Sequence, residues 1–380
     1  MATGLRKAVI AAVHPLAGGV AQFNGAMARA MARTAPLEVV SWRRLYPPFL
    51  YRGQAFDPTP PHTDGPAASF ILDWADPRTW RSAVRKVAAF EPEAVVLPWV
   101  HPVVTPPYRY LLRHLPKSTT RVVICHNVVP HEAMTGARWA TQTVLRNADL
   151  LVTHAPQQRQ ELAGLGLSST SVLEAFHPRF EPADFGAPPS EGARAEERSR
   201  HGDPDLLLLT FGAIRPYKGV DLALEALARV DPELRVRLVV AGRSWGLADD
   251  LRAQAKRLGL NGRFELRERF VSGEEAALLF TAADASLLPY RSATQSGVAQ
   301  LSFAYGRPVL ASHVGGLPAA VEHGVNGLLC EPSVDALVEG IEEMARRHEE
   351  LGAGVRASAG KTSFGRYCEL LDDAVSRMRS

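Results

Sequence analysis

Residues 211–221 read FGAIRPYKGVD. An apolar run ends at Phe211, a glycine turns the chain, Arg215 and Lys218 enter the loop, and Gly219 precedes a stretch of helical periodicity. Two cations beside a helix start, at the carboxyl end of a strand, make an anion site. A phosphate or diphosphate suits it best, because helix-start N–H groups and the helix dipole both favour negative charge. Most Arg and Lys side chains are solvated surface charges, and spacing alone does not separate that reading from an anion site. Lysine is scarce here, six residues in all, which draws attention to Lys218.

A second stretch, residues 288–312, reads LPYRSATQSGVAQLSFAYGRPVLAS. Its loop, Thr294-Gln295-Ser296-Gly297, offers hydroxyls, an amide and a pliable backbone but no charge. Thr294 or Ser296 suits the N-cap of a helix over 296–305, and capping by itself accounts for both residue types. The N–H groups near Ser296, Gly297 and Val298 would then face outward. If this helix start shares a sheet edge with the 212–219 loop, two N-termini and two cations converge as a pyrophosphate requires.

A third stretch, CHNVVPHE, places His126, His131 and Glu132 together. A lone histidine beside a core strand is ordinarily hydrogen-bonded structure. A metal set is the weaker reading, because a spacing of five between histidines is not one helical turn, and no metal or other cofactor is expected.

These groups need a frame. Apolar strands are expected at 7–13, 37–42, 69–73, 94–98, 121–125, 150–153 and 171–175. A helix follows Gly18-Gly19, another carries Trp80, Val84 and Val87, and a third covers about 132–146. Continuous apolar strands separated by helices imply a parallel sheet covered on both faces. The alternation resumes with strands at 206–211, 235–241, 263–267, 285–289 and 307–311, and helices at 247–258, 273–283, 296–305, about 333–347 and about 364–378. Between the halves, Pro, Gly and charge dominate without an apolar period. The expected division is an N-terminal domain over 1–180, a linker over 181–205 and a C-terminal domain over 206–360, followed by a terminal segment, 361–380. The fold class is α/β, two doubly wound Rossmann-like domains facing a central cleft, where ligands sit at strand carboxyl ends.

At 380 residues two domains are the natural prior. An apolar fraction of 46% and a charged fraction of 22% are ordinary for a globular protein. A net charge of +3 is too small to imply a nucleic-acid partner. Arg6 and Lys7 precede only AVIAAV, which ends at His14-Pro15 and reads as a strand and not a leader. Cys125, Cys330 and Cys368 are far apart and odd in number, which favours a reducing compartment, and a cytoplasmic location is expected. The heavy preference for arginine over lysine fits a high-GC bacterial coding sequence. Residues 42–52, WRRLYPPFLYR, could grip a small-molecule acceptor, rest weakly on an anionic membrane surface, or simply pack.

Together FGAIRPYKGVDLALEAL, the 282–329 region and the early HPLAGGVAQFNGAMARAM resemble the retaining family 4 glycosyltransferases of GT-B fold. The resemblance covers nearly the whole chain and is strongest from 206 to 332. It implies a C-terminal domain that binds a nucleotide-diphosphate sugar, an N-terminal domain that binds the acceptor, and a last helix that crosses back onto the N-terminal domain. Lys218 matches the family lysine on the donor diphosphate. The usual arginine position holds Ala213, and Arg215 stands two residues later as its substitute. Gly18 and Gly19 match the glycine turn beside the donor phosphates, and His126 matches a histidine near the donor sugar.

Much of the family carries two glutamates separated by seven residues around the 294–297 loop; here those positions are Ala293 and Leu301. The neutral loop Thr294, Gln295, Ser296, Gly297 and Val298 avoids repulsion near a diphosphate but lacks a charge-assisted bond to a hydroxyl. The resemblance implies a hexosyltransferase acting on a cell-envelope glycan, a glycolipid or a secondary metabolite. The rivals are a non-catalytic sugar-nucleotide binding protein, or another GT-B enzyme such as a nucleotide-sugar epimerase. The epimerase needs acid and base carboxylates, and their loss at 293 and 301 speaks against it.

Overall fold

The computed structural model describes residues 4–16, 18–47, 56, 65–128, 136–185, 188–244, 246–293 and 295–380. The chain divides into two units: unit 1 is Met1–Phe176 with Ser363–Ser380, and unit 2 is His177–Thr362.

Unit 1 is built on seven parallel strands: β1 (Lys7–Ile10), β2 (Leu37–Arg44), β3 (Ala68–Asp73), β4 (Ala94–Trp99), β5 (Thr120–Cys125), β6 (Leu150–Thr153) and β7 (Ser171–Glu174). Their spatial order is β3-β2-β1-β4-β5-β6-β7. The strand order reverses between β1 and β4, so a crevice opens at their carboxyl ends. Every residue of β1, β4 and β6 is buried, as expected of strands covered on both faces. The covering helices are α1 (Gly19–Ala32), α2 (Pro77–Phe90), α3 (Thr105–His114), α4 (Ala137–Leu145) and α5 (Pro156–Gly164). Both α3 and α5 carry prolines in their first turn, where a missing N–H costs nothing.

Unit 2 repeats the plan with β8 (Leu206–Phe211), β9 (Val236–Ala241), β10 (Phe264–Arg267), β11 (Ala285–Leu288), β12 (Val309–Ser312) and β13 (Gly327–Cys330), in the order β10-β9-β8-β11-β12-β13. Its helices are α6 (Glu191–Ser199), α7 (Val220–Arg229), α8 (Ala248–Arg257), α9 (Gly273–Ala282), α10 (Gly297–Ala304), α11 (Leu317–Ala320) and α12 (Val334–Ala357). Here the strand order reverses between β8 and β11.

The final helix, α13 (Phe364–Arg379), belongs to unit 1. Ser363 caps it by accepting from the Arg366 N–H at 3.2 Å. Phe364, Tyr367, Cys368, Leu371, Ala374 and Val375 face inward. The fully buried Lys7 of β1 sets its ammonium 2.6 and 2.7 Å from the two Asp372 carboxylate oxygens, and His154 meets the Tyr367 hydroxyl at 2.9 Å.

Three sequence expectations need correction. The stretch 181–205 is not a structureless linker: it contains α6, lies within unit 2, and begins after the boundary at Phe176. The inward group of α6 is the carboxylate of Glu197, 1% exposed, which receives Arg267 at 2.5 Å and faces His201 at 3.4 Å. Burial raises the Glu197 pKa, but the Arg267 and His201 hydrogen bonds outweigh it and hold the carboxyl below its usual range. A helix anchored by an ionic group shows no apolar period. The helix expected third, over about 132–146, is the fourth of unit 1, because α3 precedes it: Ala137–Leu145 are helical, and 132–135 lie outside the described residues. The helix expected to end near 347, α12, runs to Ala357.

Candidate functional site

In unit 2 the loops after β8 and β11 meet where the strand order reverses. The β8 loop leaves the sheet through Gly212 at φ 91°, passes Arg215, makes a short 3-10 turn over Pro216–Lys218, and enters α7 through Gly219 at φ 64°. Positive φ there excludes most side chains, and at Gly219 a Cβ would fall 2.0 Å from the Pro289 carbonyl oxygen. The two loops therefore touch backbone to backbone.

Lys218 is 5% exposed, and its ammonium donates to the Phe211 carbonyl oxygen at 2.8 Å. It stands 5.5 Å from the centroid of the Tyr290 ring, a cation–π contact that replaces some lost hydration. A Cβ on Gly212 would lie 3.2 Å from Lys218 Nζ and 3.8 Å from Val298 Cγ2, so the lysine tip and the start of α10 flank one glycine. Burial lowers the Lys218 pKa to about 8. Arg215 is half-buried at the head of the 3-10 turn. Burial raises the Tyr217 pKa and the Arg215 charge opposes it, which places that charge near the phenol.

Ser296 is the N-cap of α10: its hydroxyl accepts from the Ala299 N–H at 3.2 Å. Helix geometry leaves the Gly297 and Val298 N–H groups outside the intrahelical ladder. Nothing lies within 4 Å of where a Gly297 Cβ would be. Gln295 is half-buried, and Thr294 falls outside the described residues. Ala293 and Leu301, 9% and 3% exposed, are core positions, so a carboxylate at either would be buried among apolar neighbours.

The sequence reading missed what ties the loops together. Arg291 forms a bidentate pair with Asp221 at 2.8 and 2.6 Å, and also donates to the Pro216 carbonyl at 3.0 Å. Its backbone N–H reaches the Tyr217 carbonyl at 2.7 Å. Arg291 and Asp221 lie 70 residues apart, with no local pattern to link them.

Gly18, Gly19 and His126 lie in unit 1. Gly18 and Gly19 form the start of α1, with nothing within 4 Å of a Cβ on either. His126 follows β5, 9% exposed, edge-on to Phe23 at 4.7 Å between ring centroids. Phe23 in turn contacts Phe364 and Tyr367 of α13. His131 and Glu132 fall outside the described residues. Among the described residues no group of three or more His, Cys, Asp or Glu side chains is arranged to hold a metal. Cys125, Cys330 and Cys368 are all free. Among the described residues no helix is long and apolar enough to cross a membrane. Trp42 is fully buried, so the packing reading of that aromatic holds, while 48–52 lie outside the described residues.

A pocket of about 500 Å³ opens in unit 1 beside the β1–α1 turn. It is lined by Gly18 and Gly19, by Leu16 and Trp42, and by Asn24 and Tyr108, among others.

Residues 205–347 match the family model described as Glycosyl transferases group 1. The D-inositol 3-phosphate glycosyltransferase of Mycobacterium sp. (strain KMS) is 35% identical over 195 residues, 50% of this chain and 43% of that one. The Geodermatophilus obscurus protein of the same name is 34% identical over 244 residues, 60% and 53% of the two chains. The chain thus spans about half the length of the curated relatives it matches. Among solved structures, Anabaena Alr3699/HepE in complex with UDP superposes with a TM-score of 0.73 at 16% identity, covering 98% of this chain and 100% of that one. Sucrose-phosphate synthase from Thermosynechococcus elongatus gives 0.72 at 19% identity, covering 98% of each. At such identities the likeness concerns the fold, which is GT-B.

Proposed function

We propose that this GT-B chain, whose residues 205–347 form a group 1 glycosyl transferase domain, is a metal-independent retaining glycosyltransferase using a nucleotide-diphosphate sugar. The observation that carries the proposal is Lys218, a buried ammonium next to the start of α10 where the strand order reverses in unit 2. A buried cation costs free energy unless an anion completes it, and a diphosphate has the charge and size to do so. Relatives named as glycosyltransferases, and a neighbour of the same fold solved with UDP, support that choice.

In the proposed reaction the bond between the anomeric carbon and the diphosphate oxygen breaks while Lys218 stabilises the charge left on the phosphate. The acceptor oxygen bonds to the same face of the sugar, and its proton passes to the departing phosphate oxygen. Arg215 adds a second positive charge from the same loop. Gln295, Ser296 and the N–H groups of Gly297 and Val298 bind phosphate or sugar oxygens, a neutral set where the paired glutamates are replaced by Ala293 and Leu301. The reducing cytoplasm suits the three free cysteines.

A test is incubation with UDP-, GDP-, ADP- and TDP-sugars, following release of the free nucleoside diphosphate. Slow release with one base, lost in Lys218→Ala, is expected. Binding of a sugar nucleotide with no release under any condition would favour the non-catalytic binding protein, for which the apolar residues at 293 and 301 are the supporting observation.

A further inference from the structure

The opposite edge of the unit 2 sheet carries a second concentration of positive charge. Asp284 precedes β11 and Arg307 precedes β12, so both lie at strand amino ends, whereas Lys218 and Ser296 follow strand carboxyl ends. Helix α9 ends here, and two arginines cap its last carbonyls: Arg198 donates to Ala282 at 3.3 Å and Arg307 to Thr281 at 2.6 Å. Arg198 also meets both Asp284 carboxylate oxygens at 2.9 Å. Arg194 lies one turn before Arg198 on the same face of α6. Arg356 of α12 runs past Gly306, where a Cβ would stand 3.7 Å from Arg356 Cγ and 3.9 Å from its Nη1.

Capping and Asp284 account for Arg198 and for one arm of Arg307, and for nothing more. The exposed guanidinium groups of Arg194 and Arg356 make no hydrogen bond or ion pair among the described residues. On Arg307, Nη2 is taken by Thr281, while Nη1 has no partner among the described residues and is not closed off from the surface. Burial and the charges of Arg194, Arg356 and Arg198 push the Arg307 pKa down to about 10, and among the described residues Asp284 alone opposes them. That carboxylate is already engaged by Arg198 and by the Leu207 N–H at 2.8 Å. Four guanidinium groups against one carboxylate leave three positive charges uncompensated. Like charges held together cost free energy until an anion joins them.

We propose that Arg194, Arg307 and Arg356 form a second anion site, remote from the loops of Lys218, for a multiply ionised phosphate compound. Guanidinium forks match phosphate oxygens two at a time, and these three arrive from separate elements: α6, the turn between α10 and β12, and α12. The turn is held in place, since the Arg307 N–H donates to the Ser302 carbonyl at 3.0 Å and the Ser302 hydroxyl donates to the Arg307 carbonyl at 3.1 Å. The site stands whether or not the other edge of the sheet binds a sugar nucleotide.

The test titrates inorganic pyrophosphate by calorimetry into the full chain carrying Lys218→Met, which silences the donor loops. One remaining site is expected. Arg194→Gln and Arg356→Gln, added singly, should each weaken it at least about tenfold, the size of one hydrogen bond to a charged group. Arg194→Lys and Arg356→Lys keep the charge and lose the fork, and should recover part of the affinity. Inorganic sulfate at equal ionic strength should bind at least about tenfold more weakly than pyrophosphate. Without pyrophosphate the glutamine variants should melt no lower than their parent, because repulsion is relieved. No pyrophosphate site in the Lys218→Met chain would overturn the proposal, as would equal affinity for sulfate. Affinity unchanged by both glutamine substitutions, with a lowered melting temperature, would overturn it by assigning the arginines to the fold alone. UDP binding by the wild-type chain reports on the other edge of unit 2. Its absence with pyrophosphate still bound to the Lys218→Met chain would fail the transferase reading and leave this site standing.

Discussion

Under the proposed function, the lysine of the β8 loop should make binding of a nucleotide-diphosphate sugar a function of pH. Its pKa is lowered to about 8 by burial, from 10.5 in the open chain. In the unliganded protein Lys218 is then about nine-tenths protonated at pH 7 and about one-tenth at pH 9. A sugar nucleotide's diphosphate stays doubly ionised across that range, so binding should follow the lysine, and affinity should fall about tenfold from pH 7 to pH 9. Lys218→Met keeps the stem and removes the charge. A unit-charge pair at about 4 Å in surroundings of effective dielectric about 20 is worth about 4 kcal/mol, which bounds the loss at pH 7 near a thousandfold.

Stability moves the other way. The unfolded chain binds more protons between pH 8 and 10.5, so the lysine's contribution to stability rises with pH through that window. At pH 7 its burial is a penalty, and the methionine variant should melt no lower than wild type. Calorimetric titration with UDP-glucose, or with whichever sugar nucleotide the release assay selects, gives affinity. Differential scanning gives the melting temperature. A pH-independent affinity, or the same tenfold fall in the methionine variant, would refute the reasoning.

Asp372→Ala should destabilise the protein by about 3–5 kcal/mol, because it strands the ammonium of Lys7, whose side chain is 1% exposed; urea unfolding checks it, and adding Lys7→Met should recover much of the loss. Gly219→Ala drives a Cβ to 2.0 Å from the Pro289 carbonyl at a φ of 64°, so donor affinity should drop at least about tenfold as the loops part; an unchanged titration would show that their contact does not shape the site. Arg291→Ala should cost under about 1 kcal/mol of stability, since both partners are about two-fifths exposed, yet weaken nucleotide binding by releasing the 216–221 segment; loss of stability without loss of binding would contradict that role.

Much of the frame is written locally. Runs such as AVVLPW and LLLLTF are almost wholly apolar because both faces of the strand are covered, and they mark their sheets without help from distant residues. The Ser296 cap is equally local, since hydroxyl and recipient N–H are three residues apart. Lys218 stood out through its place between a strand end and a helix start. Among the elements that escaped, two are held by distant or charged partners. One is α6, whose buried face is a carboxylate bound by Arg267, 70 positions away. Another is β13, four residues whose pairing with β12 alone defines it as a strand.

By itself, then, the sequence determined two covered parallel sheets, their order along the chain and the residue types available for phosphate chemistry, because periodicity, caps and glycine turns act over a few residues. Only the tertiary structure decided that Arg291 locks the two loops through Asp221, that Lys218 is buried against Phe211 and Tyr290, and that Asn24 and Trp42 share one pocket. Those facts depend on desolvation and on distances between residues far apart in the chain, which no local pattern encodes.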